Sequence, residues 1–147
     1  MIKIIKLLLT GTNTKLIAIS ILLLRCILGI ILFVVGAGKV LGWFGGSGFP
    51  NTIQFYNKMG YSLFLTYLSS YTEFIGGFLL IIGLLIRPVL IAVIINMIFA
   101  TSVMLPNGFL GSRGASYPFT FLIIAIVILL TGPMKISIDY LLFHNNK

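Results

Sequence analysis

The sequence predicts an all-α integral membrane protein, a single-domain bundle of four transmembrane helices preceded by a short amphipathic arm. Apolar residues make up 59% of the 147 residues and charged residues only 8%, whereas soluble domains average about 25% charged residues. The mean hydropathy is +1.18. The apolar residues also fall in long blocks, and roughly 20 helical residues cross a hydrocarbon core. A water-soluble globular fold is therefore excluded.

Four apolar blocks predict transmembrane helices at about 16–40, 61–86, 89–105 and 117–131. The first two blocks are long enough to cross the bilayer with some tilt, and the last two are shorter. All four belong to one domain spanning residues 1–147, because no composition shift marks a second domain.

The connections between these helices carry the expected breaking residues. Residues 1–9 alternate lysines with Ile and Leu, which is typical of an amphipathic helix on the membrane surface. Gly- and Pro-containing segments follow the first helix and precede the fourth, and residues 51–60 are expected to form a short interfacial helix. Arg87-Pro88 predicts a tight turn between the second and third helices, which makes them an antiparallel hairpin.

The charge balance indicates an orientation in the membrane. Ten Lys and Arg residues stand against Glu73 and Asp139, giving a net charge of +8. Cationic residues are more frequent at one side, where they are Lys3, Lys6, Lys15, Arg87, Lys135 and Lys147, than at the other, where they are Lys39, Lys58 and Arg113. This bias predicts that both termini are cytoplasmic. The absence of a basic segment with interleaved aromatic residues argues against nucleic-acid binding.

The scarcity of ligating residues excludes several chemistries for this chain acting alone. Cys26 is the only cysteine, so an internal disulfide, a Cys-x-x-Cys pair and a cysteine-based zinc site are excluded. His144 is the only histidine and lies in the polar tail, so a haem held by two helices has no imidazole ligands. The two acids are far apart in sequence, and no metal site is expected.

Polar residues inside the apolar blocks are the candidate functional residues. Arg25, Glu73 and Asn96 lie on three different helices at depths that a long Arg side chain can bridge. An intramembrane charge costs roughly 3 kcal/mol, so it is expected to face a partner. The sequence therefore predicts a buried pair of Arg25 and Glu73, with two readings left open: a functional site, or a pair that only fixes helix register.

Small residues share the helix faces of these charges. Gly29, Gly36 and Lys39 lie on the face of Arg25, and Gly76 and Gly77 on that of Glu73. Glycines of this kind let helices approach closely in lipid, so these four are expected to be packing positions. Lys39 is interpreted first as an anchor at the membrane interface. The aromatic residues Trp43, Phe44, Tyr56 and Tyr61 are interpreted as an interfacial belt.

Together these features resemble the DoxX family of small four-helix bacterial membrane proteins. The matching residues run from about Leu16 to Asp139 and comprise Arg25-x-x-x-Gly29-x-x-x-Phe33-x-x-Gly36-x-Gly38-Lys39, Glu73-Phe74-x-Gly76-Gly77, Gly83-Leu84-Leu85, Arg87, Gly132-Pro133 and Ser137-x-Asp139. Met134 departs from the pattern, because the family often has a second glycine after the proline. The resemblance implies a protein of the bacterial inner membrane.

Two classes of function follow. The family's namesake relatives look like subunits of a thiosulfate:quinone oxidoreductase, which implies a subunit of a redox complex that binds quinone among the polar residues inside the apolar blocks. Arg25, Glu73 and Lys39 are the residues carried over by position, with Tyr67 and Asn96 as candidates that orient the quinone ring. The alternative is a non-catalytic accessory subunit. In both cases the expected partners are the lipid bilayer and other membrane or redox proteins.

Overall fold

The structure is a computed structural model that describes residues 14–111, 114–132 and 137–139. The predicted N-terminal arm lies outside these residues. Within them the chain forms five α-helices, which are α1 Thr14–Leu41, α2 Gly48–Lys58, α3 Leu63–Ile82, α4 Ile86–Met104 and α5 Ser116–Thr131. Short 3-10 turns at Trp43–Gly45 and Leu105–Asn107 follow α1 and α4. The predicted all-helical membrane bundle is confirmed.

Three of the described helices are long and apolar enough to cross a membrane. They are α1, α3 and α4, the last extended by its 3-10 turn to Asn107. Helix α5 has 16 residues and is equally apolar, but it is shorter than a typical span. The outward faces carry large apolar side chains, such as Phe64 and Ile95 with 72% and 63% of their surface exposed. Contact with the lipid bilayer accounts for this surface.

The turn between α3 and α4 lies earlier than the sequence predicts. Helix α3 ends at Ile82 because Gly83 adopts a left-handed conformation, with φ 75°, and its N–H bonds to the Leu79 carbonyl. Helix α4 begins at Ile86, so Arg87 and Pro88 lie in its first turn and do not form the connection. Proline is tolerated there because the first helical N–H groups have no partner within the helix. The predicted turn at Arg87-Pro88 is therefore wrong.

Helix α2 crosses one end of the bundle, hereafter the α2 end; the opposite end, which holds the α3–α4 connection, is the turn end. Gly42, with φ 73°, follows α1 and starts the connection to α2. Helix α2 turns Thr52 and Tyr56 toward the bundle, and these are its buried residues. Their spacing of four places both side chains on one helix face. The predicted interfacial helix is thus present, but it begins at Gly48.

Helices α1 and α3 are antiparallel and approach each other at glycines. A Cβ atom added to Gly36 would lie 2.6 Å from the Phe74 Cα, and one added to Gly77 would lie 2.8 Å from the Gly29 carbonyl oxygen. Only glycine leaves room for backbones at this separation. The rings of Phe33 and Phe74 stack beside this crossing at 5.3 Å between centroids. The predicted packing roles of Gly29, Gly36 and Gly77 fit this contact.

The apolar core lies between α1, α4 and α5, and Leu80 of α3 also packs into it. Leu28 and Leu32 of α1 pack there with Leu90 of α4 and Ile128 of α5, and each is at most 2% exposed. Gly76 faces α4, and a Cβ there would meet Val89 at an ordinary 3.4 Å. Helix α3 packs against α1 on one side and against α4 on the other. The polar residues of α3 therefore lie between α1 and α4.

Asp139 holds the start of α4. Its carboxylate oxygens accept hydrogen bonds of 2.8 Å from the backbone N–H groups of Leu85 and Ile86. Leu85 has a left-handed backbone with φ 53°, which is unfavourable for a side chain of this kind. The two hydrogen bonds offset that strain and cap the helix N-terminus, where a negative charge is favourable. A residue 54 positions downstream of Leu85 thus fixes this connection.

Replacing Gly36 by alanine is expected to destabilise the bundle, because the new methyl group meets the backbone of α3. We expect the free energy of unfolding to fall by about 2 kcal/mol, as in other overpacked cores. Gly76→Ala is the matched control, since its methyl group finds ordinary contacts and alanine favours helix. Unfolding of both purified variants in mixed detergent micelles measures the difference. Equal stability of the two variants would contradict the close crossing at Gly36.

Replacing Asp139 by alanine is expected to lower the stability by about 1 kcal/mol, because it removes the cap of two backbone donors. Leu85→Gly in the same background should recover part of the loss, since glycine adopts the left-handed conformation without strain. Thermal unfolding of the single and double variants measures this. If Asp139→Ala unfolds at the parent temperature, the cap does not contribute to stability.

Candidate functional site

The centre of the polar site is an ion pair between α1 and α3. The Lys39 Nζ lies 2.7 Å from Oε2 of Glu73 and donates a hydrogen bond of 2.8 Å to Oε1. The Glu73 side chain is 4% exposed and that of Lys39 is 22% exposed. Both charges lie within helices that are long and apolar enough to cross a membrane, and in hydrocarbon each requires a partner of opposite charge.

Asn96 brings α4 into the same site. Its side-chain amide nitrogen donates to Oε1 of Glu73 at 3.4 Å, which is a long hydrogen bond. Asn96 is itself buried, with 6% of its surface exposed. Glu73 and Asn96, two of the candidate residues, therefore lie in contact, and Glu73 is the residue at which α1, α3 and α4 meet.

Helix α2 covers the Lys39 side of the site. The Lys39 Nζ lies 5.9 Å from the centre of the Tyr56 ring, within the range of a cation–π interaction. The Thr52 hydroxyl donates to the carbonyl oxygens of Gly48 and Lys39, at 2.8 and 3.3 Å. These bonds attach α2 to the end of α1. The ammonium group is therefore enclosed by an acid on one side and an aromatic ring on the other.

A cavity of about 390 Å³ adjoins the ion pair. Its walls come mainly from α1, α4 and α5, and Lys39, Glu73, Tyr56 and Tyr117 contribute polar side chains to them. The remaining walls are largely apolar, with Leu32, Met97 and Phe121 among them. Ligand sites are typically of this size and combine apolar walls with a few polar groups. The arrangement can therefore hold a mostly apolar molecule whose polar group meets the ion pair.

Arg25 does not form the predicted pair with Glu73. A Cβ on Gly83 would lie 3.0 Å from Nη1 of Arg25, so the guanidinium lies against the backbone of the α3–α4 connection. Gly83 is ten residues from Glu73, about 15 Å along α3. Arg25 therefore lies at the turn end, near the segment where the Asp139 N–H bonds to the Gly83 carbonyl. The pairing was expected from depth alone, and the register of the glycine crossing overrides it.

Tyr67 is also absent from the polar site. Its side chain is 41% exposed, and its ring lies 4.5 Å from Phe49 and 6.3 Å from Tyr71. These rings form an aromatic group on the outward face of α3 and α2. The expectation that Tyr67 orients a ligand ring is corrected by this position.

Two residues of structural importance were not predicted as such. The sequence pattern assigns Tyr56 to an interfacial belt, but in the structure it is 4% exposed and adjoins Lys39. Its spacing of four from Thr52, which places both residues on one face of α2, is the available signal. Asp139 was recognised only within the family pattern, and nothing in the local sequence indicates a contact with Leu85.

Fold and site together define a small helical membrane protein with an ion pair beside an apolar cavity. The DoxX family model matches residues 20–107. A curated protein of Bacillus subtilis (strain 168) named "Putative oxidoreductase CatD" is 35% identical over 130 residues, which cover 88% of this chain and 91% of that protein. No solved structure matches. The chain therefore belongs to the DoxX family, as its motifs predict.

Removing only one partner of the ion pair is expected to be much more costly than removing both. Lys39→Met leaves a buried carboxylate without its cation, so the free energy of unfolding should fall by about 3 kcal/mol or more. The double variant Lys39→Met/Glu73→Gln buries no charge and should lie within about 1 kcal/mol of the parent. Detergent unfolding of the single and double variants measures the coupling. Lys58→Met, at an exposed lysine, controls for loss of a positive charge.

Additive effects of Lys39→Met and Glu73→Gln would contradict the pairing, because residues in direct contact give non-additive changes in stability. A loss of stability in Lys58→Met as large as that in Lys39→Met would also contradict the pairing, because it would show that the loss follows from the change in net charge.

Proposed function

We propose that this chain is the membrane subunit of a quinone-linked redox complex, with the quinone ring in the cavity beside Lys39 and Glu73. The observation that carries the proposal is the position of this ion pair at the wall of an otherwise apolar cavity. The name of the Bacillus subtilis relative supports a redox role in the family. Arg25 has no part in the proposed site, because its guanidinium lies at the turn end.

The residues of the cavity fit a quinone. Its volume of about 390 Å³ and its apolar walls suit a neutral ring with an apolar tail. A quinone carbonyl accepts hydrogen bonds, and the Lys39 ammonium is a donor with three N–H bonds, of which one is donated to Oε1 of Glu73. The Tyr56 ring adds an aromatic surface beside that donor.

Each side chain has a distinct role in this proposal. Lys39 donates to the ligand carbonyl and balances the charge of Glu73. Glu73 accepts or releases a proton at Oε2, while Asn96 keeps its hydrogen bond to Oε1 and so holds the carboxylate in place. A quinone, when bound, is itself the carrier of two electrons and two protons. The apolar walls exclude water, which strengthens the interactions of the polar groups.

A partner protein has to exchange electrons with the quinone. Cys26 and His144 are the only cysteine and the only histidine of this sequence, so it offers neither a thiol pair nor two imidazole ligands. We therefore propose that a second subunit carries the redox centre. We also place the complex in the bacterial cytoplasmic membrane with both chain termini in the cytoplasm, which the distribution of Lys and Arg supports.

A non-catalytic accessory subunit is the second candidate function. The observation that favours it is that Lys39 already neutralises Glu73, and that Oε1 of Glu73 already accepts hydrogen bonds from Lys39 and Asn96. A pair whose charges balance without a ligand can serve to fix helix register. In that case the cavity would hold lipid, and the variants below would change stability alone.

Quinone binding by the purified full chain in lipid nanodiscs tests the proposal. With a short-tailed ubiquinone and a short-tailed menaquinone as probes, Lys39→Met/Glu73→Gln is expected to weaken binding about tenfold, because it removes a charge-assisted hydrogen bond. Ala100→Phe should abolish binding by filling the cavity without removing a charge. Lys58→Met is the control and should bind as the parent does.

Unchanged quinone affinity in both the double variant and Ala100→Phe would contradict the proposal and favour the accessory role. Loss of binding in Ala100→Phe alone would place the quinone in the cavity but remove the ion pair from its recognition.

A further inference from the structure

A second cavity lies on the opposite side of α3 and α4 from the ion pair. One part, of about 390 Å³, extends from Leu65 and Phe99 to Thr72 and Ala92. A second part, of about 270 Å³, shares Thr72 and Ala92 and continues to Leu79 and the start of α4. The two parts form one groove, hereafter the α3–α4 groove. It follows α3 from Leu65 to Leu79, a length of about 20 Å.

Small side chains keep this groove open. Thr72, Gly76 and Ala92 lie along its floor, where longer side chains would close the space between the two helices. Ile95 flanks the groove and is 63% exposed, so the groove faces outward toward the hydrocarbon. Its long, narrow and mostly apolar form suits an extended chain.

Ser69, Thr72 and Asn96 are the residues with polar side chains in the half nearer the α2 end, and Ser69 and Asn96 are buried. Ser69 is 3% exposed, and its hydroxyl has no hydrogen-bond partner among the described residues. Asn96 lies beside it in the wall and uses its amide nitrogen on Glu73. Among the same described residues no donor reaches the amide oxygen of Asn96. A polar group without a partner in the hydrocarbon is costly, because water is absent there.

We propose that the α3–α4 groove binds a long-chain amphiphile through one hydroxyl group, with Ser69 and Asn96 as its hydrogen-bonding partners. A ligand hydroxyl both donates and accepts, so it can donate to the Asn96 amide oxygen and accept from the Ser69 hydroxyl. Its chain then extends past Thr72 and Gly76 toward Leu79. This ligand is distinct from the one in the Lys39–Glu73 cavity. The proposal for the α3–α4 groove therefore does not depend on quinone binding in that cavity.

The polar position within the groove determines the ligand class. Ser69 lies six residues after Leu63, the first residue of α3, or about 9 Å along the helix. This depth is below the level of charged lipid headgroups, and in the described part of the groove no cationic side chain lines the wall. A neutral hydroxyl on an extended hydrocarbon fits these conditions, whereas a phosphate does not.

Titration of the delipidated full chain with hexadecan-1-ol and with its methyl ether tests the proposal, with native mass spectrometry as the measurement. The ether has the same chain but lacks the hydrogen-bond donor. We expect the alcohol to bind about tenfold more tightly than the ether. Ser69→Ala should remove most of that preference, and Ala92→Phe should abolish binding of both probes by filling the groove.

Ser20→Ala is the matched control, because Ser20 lies on exposed α1 surface and its hydroxyl donates to the Leu16 carbonyl. It should preserve the preference for the alcohol. Ser69→Ala removes a buried hydroxyl without a partner, so it is expected to fold at least as well as the parent. Equal binding of alcohol and ether, or an unchanged preference in Ser69→Ala, would overturn the proposal. Occupation of the groove by a helix of another protein, with no alcohol binding, would also overturn it.

Discussion

The close approach of α1 and α3 at their glycines is the constraint on which the rest of the structure depends. Gly36 lies against the backbone of Phe74, and Gly77 lies against Gly29 and Phe33. Helices this close cannot slide past each other without a clash between main chains. The crossing therefore fixes which residues of α1 face which residues of α3, and it places Lys39 beside Glu73 and Arg25 beside Gly83.

This register separates four charged residues into two groups. At the α2 end, Lys39 neutralises Glu73 next to an apolar cavity. At the turn end, Arg25 and Asp139 both approach Gly83, and Asp139 caps α4. Hydrocarbon penalises an isolated charge strongly, so each group has a structural reason to remain intact. A ligand at the α2 end would use a charge pair that the fold already holds in place.

Much of the fold follows from the sequence, but the site follows only in part. Helix number, approximate bounds and glycine packing depend on composition and spacing, which are local properties. The choice between Arg25 and Lys39 as the partner of Glu73 depends on register, which depth along each helix does not determine. The contacts of Tyr56 and Asp139 join segments far apart in the chain, and no local pattern specifies such contacts.

Exchange of the two charges tests the pairing most directly. The variant Lys39→Glu/Glu73→Lys keeps an ion pair at the α2 end, whereas Arg25→Glu/Glu73→Arg places like charges at each end. Size-exclusion chromatography in a mild detergent, followed by thermal unfolding, measures how much folded protein each variant yields. The account predicts that the first double variant recovers folded protein relative to either of its single variants and the second does not. Recovery by the second double variant alone would contradict it and restore Arg25 as the partner of Glu73.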